Sequence, residues 1–314
     1  MQLRWVGAIV IGLVLLTSAA CIGAIVLIGV TQADMPTGDH VAKIEVRGQI
    51  SAREATGLFA PDSASAEQII SELEAIREDG NAKALLLDID SPGGTAIAAE
   101  QIHDELLRVK DAGIPIVATF GSSATSGAYY IAAPADVIVA NPGTVTGSIG
   151  VITQVPNMEE LYEKIGIEMQ TITTGEFKDM MQPARPLRDE EIELIQDLQD
   201  ETYEEFVDVI SAGRDLSESE VRELADGRIF SGRQAVENGL VDELGDHRDA
   251  IQIAGELGGL GDDPDVRDYS PSPPGFWDVF LGVTSGELEL NLPGIFGPDI
   301  DPRDIHLEIR LSPQ

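Results

Sequence analysis

The sequence predicts an α/β domain with a mostly parallel sheet, preceded by an N-terminal transmembrane helix, and three observations carry that reading. Short apolar runs alternate with segments of helical periodicity, the order that successive β-α-β units produce. Turns rich in glycine and serine fall directly after the apolar runs, where strands hand over to helices. Residues 6–30 contain no charge, and about 20 apolar residues suffice to cross the hydrocarbon core.

Arg4 precedes that run and the next basic residue is Lys43, so the charge bias places residues 1–5 in the cytoplasm and the rest outside. A cleavable signal has an apolar core of about 7 to 15 residues. The longer run at 6–30 is therefore read as an uncleaved single-pass anchor in the cell membrane. Cys21, the only cysteine, lies inside it, which excludes an intrachain disulfide.

Among 314 residues, 55 are acidic and 20 basic, a formal charge of −35. The acids are spread along the exported part, which argues against nucleic acid as a partner. Only Lys43, Lys83, Lys110, Lys164 and Lys178 are lysines. An acidic, lysine-poor surface fits a halophilic habitat, where salt screens the repulsion.

After a polar linker at 31–40, residues 41–46 and 84–89 read as strands flanking a helix. Ser65 and Gln68 offer its capping box, and Ile69, Ile70, Leu73 and Ile76 its apolar stripe. A helix at 95–111, a strand at 114–120, a helical segment from Thr125 and a strand at 137–140 repeat the pattern. Helices near 158–165 and 189–212 follow, and Ser231 with Gln234 offers another capping box. Around 262 the texture shifts to Asp, Pro and Ser, so the domain is assigned 41–262 and a Pro- and Gly-containing tail 263–314. Phe276, Trp277, Phe280 and Leu281 in the tail have two readings, a segment laid back on the domain or a contact with membrane or neighbouring subunit.

Two turns carry the candidate chemistry. In Asp88–Gly94 the paired glycines Gly93 and Gly94 let backbone approach a ligand closely, and an amide near a helix start can donate to an anion. In Gly121–Tyr130, Ser126 sits where a strand gives way to a helix, at the sheet edge that hosts sites in α/β folds; a simple helix-capping role is the other reading. A serine nucleophile needs a base. His40, His103, His247 and His306 read as surface histidines. Lysine serves when burial favours the neutral amine. Lys178 follows a short strand pattern, and its window alone also fits a solvated lysine paired with Asp179.

The wider set of motifs is more specific. Asp90-Ser91-Pro92-Gly93-Gly94, Ser126-Gly127-Ala128-Tyr129-Tyr130, Thr146-Gly147-Ser148-Ile149-Gly150-Val151, Gly175-Glu176-Phe177-Lys178-Asp179 and Gly227-Arg228-Ile229-Phe230-Ser231-Gly232-Arg233-Gln234-Ala235 occur in order, ending in Gly239-Leu240-Val241-Asp242. From 41 to 245 the chain resembles the signal peptide peptidase A family in its short, single-repeat form, the Ser-Lys peptidases that share the Clp protease and crotonase fold. The resemblance implies Ser126 as nucleophile, Lys178 as general base, the Gly94 and Gly127 amides as oxyanion hole, and Ser148 as the residue that orients the lysine. It calls for no cofactor and no metal. It further implies a homo-oligomer in which the lysine reaches a neighbour's serine, acting on cleaved signal peptides and other unfolded apolar peptides. A related protease acting on one membrane protein, or an inactive peptide-binding scaffold, are the alternatives. Ala128 departs from the family's second glycine, and Val151, Ile152 and Thr153 stand where a Clp-type histidine would be. Asp179 is expected to point away from Lys178, since an ion pair would hold the amine protonated.

Overall fold

The structure is a computed structural model that describes residues 38–53 and 63–270. The expected anchor at 6–30, the tail beyond 270 and His306 lie outside the described residues. Among the described residues, no helix is long and apolar enough to cross a membrane.

The strands are β1 (His40–Arg47), β2 (Gln49–Ser51), β3 (Ser63–Ser65), β4 (Ala82–Ser91), β5 (Ile116–Thr125), β6 (Val137–Ala140), β7 (Val145–Gly147), β8 (Ile229–Ser231), β9 (Glu243–Leu244) and β10 (Val266–Asp268). The helices are α1 (Ala66–Glu78), α2 (Ala96–Asp111), α3 (Gly127–Ala132), α4 (Glu159–Ile165), α5 (Asp189–Arg214), α6 (Glu218–Leu224), α7 (Gly232–Glu237) and α8 (His247–Leu257). The main sheet runs β10-β1-β4-β5-β6-β9, parallel throughout, while β7 pairs parallel with β5 and antiparallel with β8. A mostly parallel α/β sheet is thus observed.

Alternation along the central strands divides the core in two. Ile44, Val46, Leu85, Leu87 and Ala118 pack with Ile69, Leu73, Ile102 and Leu106 of α1 and α2. Val41, Ala84, Leu86, Val117 and Val139 face the other way, against Ala250 and Ala254 of α8. β4 reads as a near-continuous apolar run, whereas β1 alternates Ile44 and Val46 with Lys43, Glu45 and Arg47.

Four expectations are adjusted. The strand expected at 114–120 extends to Thr125, because Ser123, Ala124 and Thr125 find partners in Val145, Thr146 and Gly147. His40 and His103 are buried rather than at the surface: His40 Nε2 lies 3.2 Å from the Tyr269 hydroxyl, and His103 packs edge-on to Tyr130. No strand forms before Thr173, where the chain is exposed and has no neighbouring ladder. The sheet also continues past 262, since β10 pairs with β1 at Val41, Ala42 and Lys43.

The first capping box is half formed. Ser65 Oγ accepts from the Gln68 amide at 3.4 Å, but the Gln68 side chain turns to donate to Glu72 Oε1 at 2.8 Å. Glu72 is buried among the apolar residues of α1, and its Oε2 has no partner among the described residues. Burial pushes its carboxyl from 4.5 up to about 7. Because the folded state prefers the neutral acid, the cost of the buried anion is absent below the unfolded value and complete above about 7. Glu72→Gln is therefore expected to raise stability by roughly 1 kcal/mol at pH 8, after allowance for solvent screening, and to change little at pH 4. Denaturant melts at the two pH values measure this; equal effects at both would refute it.

Candidate active site

β5 delivers Ser126 to the carboxyl edge of the sheet and α3 starts at the next residue. The end of β5 is clamped laterally: Thr144 Oγ1 donates to the Gly121 carbonyl at 2.7 Å and Thr146 Oγ1 to the Ala124 carbonyl at 2.6 Å. Ser126 itself has φ 53° and ψ −126°, left-handed territory that costs a non-glycine residue about 1 to 3 kcal/mol. The elbow persists because the Ser126 amide donates to the Gly147 carbonyl at 2.8 Å and its carbonyl accepts from Tyr129 and Tyr130. Half-buried, the serine sits on a sharp turn between strand and helix, as nucleophiles of α/β hydrolytic enzymes do.

The Gly93–Gly94 turn presses against this elbow. A Cβ on Gly93 would lie 2.6 Å from the Thr125 carbonyl oxygen and 2.9 Å from Ser126 Cβ, and φ of 91° independently requires glycine there. On the far side, Ile50 of β2 donates to the Gly93 carbonyl at 2.9 Å and accepts from the Thr95 amide at 3.0 Å. These two bonds grip the residues flanking Gly94 and leave its own amide outside the ladder. The Gly127 amide, first in α3, likewise has no intrahelical acceptor. A Cβ on Gly127 would stand 3.3 Å from the Gly94 nitrogen, so these two donors, without an acceptor among the described residues, are neighbours beside Ser126. Two backbone donors next to a half-buried serine hydroxyl form the arrangement that stabilises an oxyanion.

Ser148 also follows a strand and also has positive φ, 51°. Thr125 pairs with Gly147, so Ser126 and Ser148 leave adjacent strand ends side by side. The Ser148 amide donates to the Arg228 carbonyl at 2.8 Å. Its hydroxyl has no partner among the described residues.

Lys178 is placed differently. It lies in an exposed turn at 174–180, and no hydrogen bond joins it to Ser126 or Ser148 within the chain. Expected to be buried, it is solvent-facing because the stretch 151–182 packs little against the domain. Asp179 keeps clear of it, giving both carboxylate oxygens to Arg185 at 3.0 and 3.1 Å. The structure thus brings Ser126, Gly94, Gly127 and Ser148 together and leaves Lys178 apart from them.

The brace by Ile50 and the arginines around Lys178 were not singled out from sequence. The apolar Ile50 after the β1 turn was the available signal for the first. A cleft of about 590 Å³ lined by Arg47, Asp88, Asp90, Gly121, Thr144 and His247 opens further back along β5. Ser126 is not in its lining, so the candidate chemistry rests on the elbow and not on the cleft.

A model of peptidase family S49 matches residues 108–261, a span that includes Ser126, Ser148 and Lys178. The chain is 38% identical over 249 residues to a signal peptide peptidase of Enterococcus faecium, covering 79% of this chain and 72% of the relative. It is 43% identical over 223 residues to a protease of Synechocystis, covering 71% and 78%, and 34% identical over 238 residues to protease 4 of Haemophilus influenzae, covering 74% and 37%. With relatives matched over more than two thirds of both partners, the chain belongs to peptidase family S49, the signal peptide peptidase A family, and is a serine peptidase.

Proposed function

We propose that the protein is a membrane-anchored endopeptidase working through a Ser126–Lys178 dyad on cleaved signal peptides and other unfolded apolar peptides. The observation that supports it most is the Ser126 elbow, a strained serine beside two amides that have no acceptor among the described residues. Neutral Lys178 takes the Ser126 hydroxyl proton as Oγ bonds the scissile carbonyl carbon. The carbonyl oxygen becomes an oxyanion held by the Gly94 and Gly127 amides. The resulting ammonium returns its proton to the leaving amine as the C–N bond breaks. Water, deprotonated by the same amine, then releases the acyl group from Ser126.

A lysine that faces solvent in one chain needs a second copy to close over it. The arm that carries it has the apolar surface for this: Ile152 is 82% and Ile172 92% exposed, Met158, Leu161, Ile165, Met169, Phe177 and Met181 are also exposed, and α4 buries nothing. In α5 only Glu191, Phe206, Val207 and Ile210 are buried. We read this arm as the contact that inserts Lys178 beside Ser126 and Ser148 of an adjacent protomer, with the anchor at 6–30 holding the assembly outside the cytoplasm. We read the acidic surface as fitted to high salt.

Mixing inactive Ser126→Ala and Lys178→Ala proteins tests the arrangement. Random reassembly in high salt should rebuild a complete dyad at about one interface in four and restore peptidase activity to that order. No recovery despite mixed oligomers would overturn a dyad shared between protomers, and an oligomer unchanged in size after desalting would sink the high-salt reading.

A further inference from the structure

We propose that Arg185 and Glu191 are positioning residues for Lys178, forming an ionic clasp that fixes its turn to the first turn of α5. The proposal rests on the Ser-Lys reading above and adds to it the residues that present the lysine. Glu191 is fully enclosed and accepts five hydrogen bonds. Arg185 donates to Oε2 at 2.8 Å and Oε1 at 2.6 Å, the Arg188 amide to Oε2 at 2.9 Å, and the Arg188 guanidinium to Oε1 at 2.7 and 3.1 Å. The far side of Arg185 grips Asp179, while Arg188 donates to the Glu176 carbonyl at 2.7 Å and lies 5.4 Å from the centre of the Phe177 ring. Glu176, Phe177 and Asp179 are thus all held, and the side chain left free between them is Lys178. The partners themselves enclose Glu191, for the surrounding arm stays open to water. Hydrogen bonds from Arg185, then Arg188, keep the Glu191 carboxyl well below the usual range, and Arg185 lowers Asp179.

The clasp does two things for a base. It holds the turn rigidly although the arm has no core of its own, and it occupies the carboxylate next to the lysine. Glu176 and Asp179 flank Lys178 on its turn, while Arg185 pairs with Asp179 and Glu191, and Arg188 with Glu191. Glu176 is the same in every variant considered. Without Arg185, Asp179 is released to pair with Lys178 and to favour the protonated amine.

Arg185→Gln, assayed on an apolar peptide and normalised to fluorophosphonate-titrated Ser126, is expected to lower kcat on the order of tenfold to a hundredfold with little change in KM. The midpoint of its pH–rate profile should move up by about one unit or more. Adding Asp179→Asn should bring the midpoint back while kcat stays low, and Asp179→Asn alone should leave the midpoint near its original value. Arg185→Lys, which keeps a charge on Asp179 but not the fork, should fall between and serves if the glutamine variant does not assemble. An unshifted midpoint, or a shift that Asp179→Asn does not reverse, would overturn the clasp. Lys178→Ala run alongside separates the two ideas: substantial activity there defeats the dyad itself, whereas an inactive Lys178→Ala beside an unaltered Arg185→Gln defeats only the clasp.

Discussion

Ser126→Ala and Lys178→Ala are each expected to lower kcat by roughly 10³- to 10⁶-fold while leaving the thermal melt of the domain unchanged, because a nucleophile and its base act as one unit. The double variant should lose little beyond either single one. Fully additive losses would show that Lys178 is not the partner of Ser126. Lys178→Arg should be as inactive as the alanine variant, since a guanidinium does not deprotonate in the working range. In the native enzyme no single histidine substitution should abolish the pH dependence of the rate. A profile governed by a histidine would contradict this. Two of the candidate histidines are already engaged elsewhere: His40 is enclosed beside Tyr269, and His103 is packed on Tyr130.

The parts of the fold buried on both faces were legible in the sequence. β4 is apolar on successive residues, β1 alternates Ile44 and Val46 with Lys43, Glu45 and Arg47, and the α1 stripe Ile69, Leu73 and Ile76 packs as its period predicts. Short edge elements were not, because β2, β3 and β10 have three residues each and acquire their identity from partners. The nucleophile elbow was readable as a serine between a strand and a helix, but its strain was not, since nothing local in Thr125-Ser126-Gly127 announces positive φ at the serine. The fate of Lys178 was hidden for a different reason. Its turn is held through its neighbours, Asp179 by Arg185 and Glu176 by Arg188, and its own side chain faces surfaces that the single chain leaves open. Asp179 shows the same dependence: in sequence it is the nearest carboxylate to the lysine, and in the fold it belongs to Arg185.

Gly94→Ala is expected to reduce kcat by about 10²- to 10³-fold, the loss typical of one oxyanion donor. A Cβ at this position would fall 1.8 Å from the Ile50 carbonyl oxygen and 2.5 Å from its carbonyl carbon, both backbone atoms with no rotamer to move. Relief requires the turn to withdraw from β2, breaking the bonds from Ile50 to the Gly93 carbonyl and from Thr95 to the Ile50 carbonyl that aim the Gly94 amide. The donor is then pointed elsewhere although Ser126 and Lys178 are intact. At Gly127 the nearest atoms to an added Cβ are 3.3 Å away, Ala99 Cβ and the Gly94 nitrogen, so Gly127→Ala demands a shift of only a few tenths of an ångström and should cost less. Gly80, with nothing within 4 Å, provides the neutral control. Kinetics on the three alanine variants that retain a cooperative melt rank them Gly94, Gly127, Gly80 in decreasing loss. A Gly94→Ala enzyme within a few-fold of native turnover would remove that amide from the oxyanion hole, because no arrangement that accommodates the methyl group leaves both flanking bonds in place.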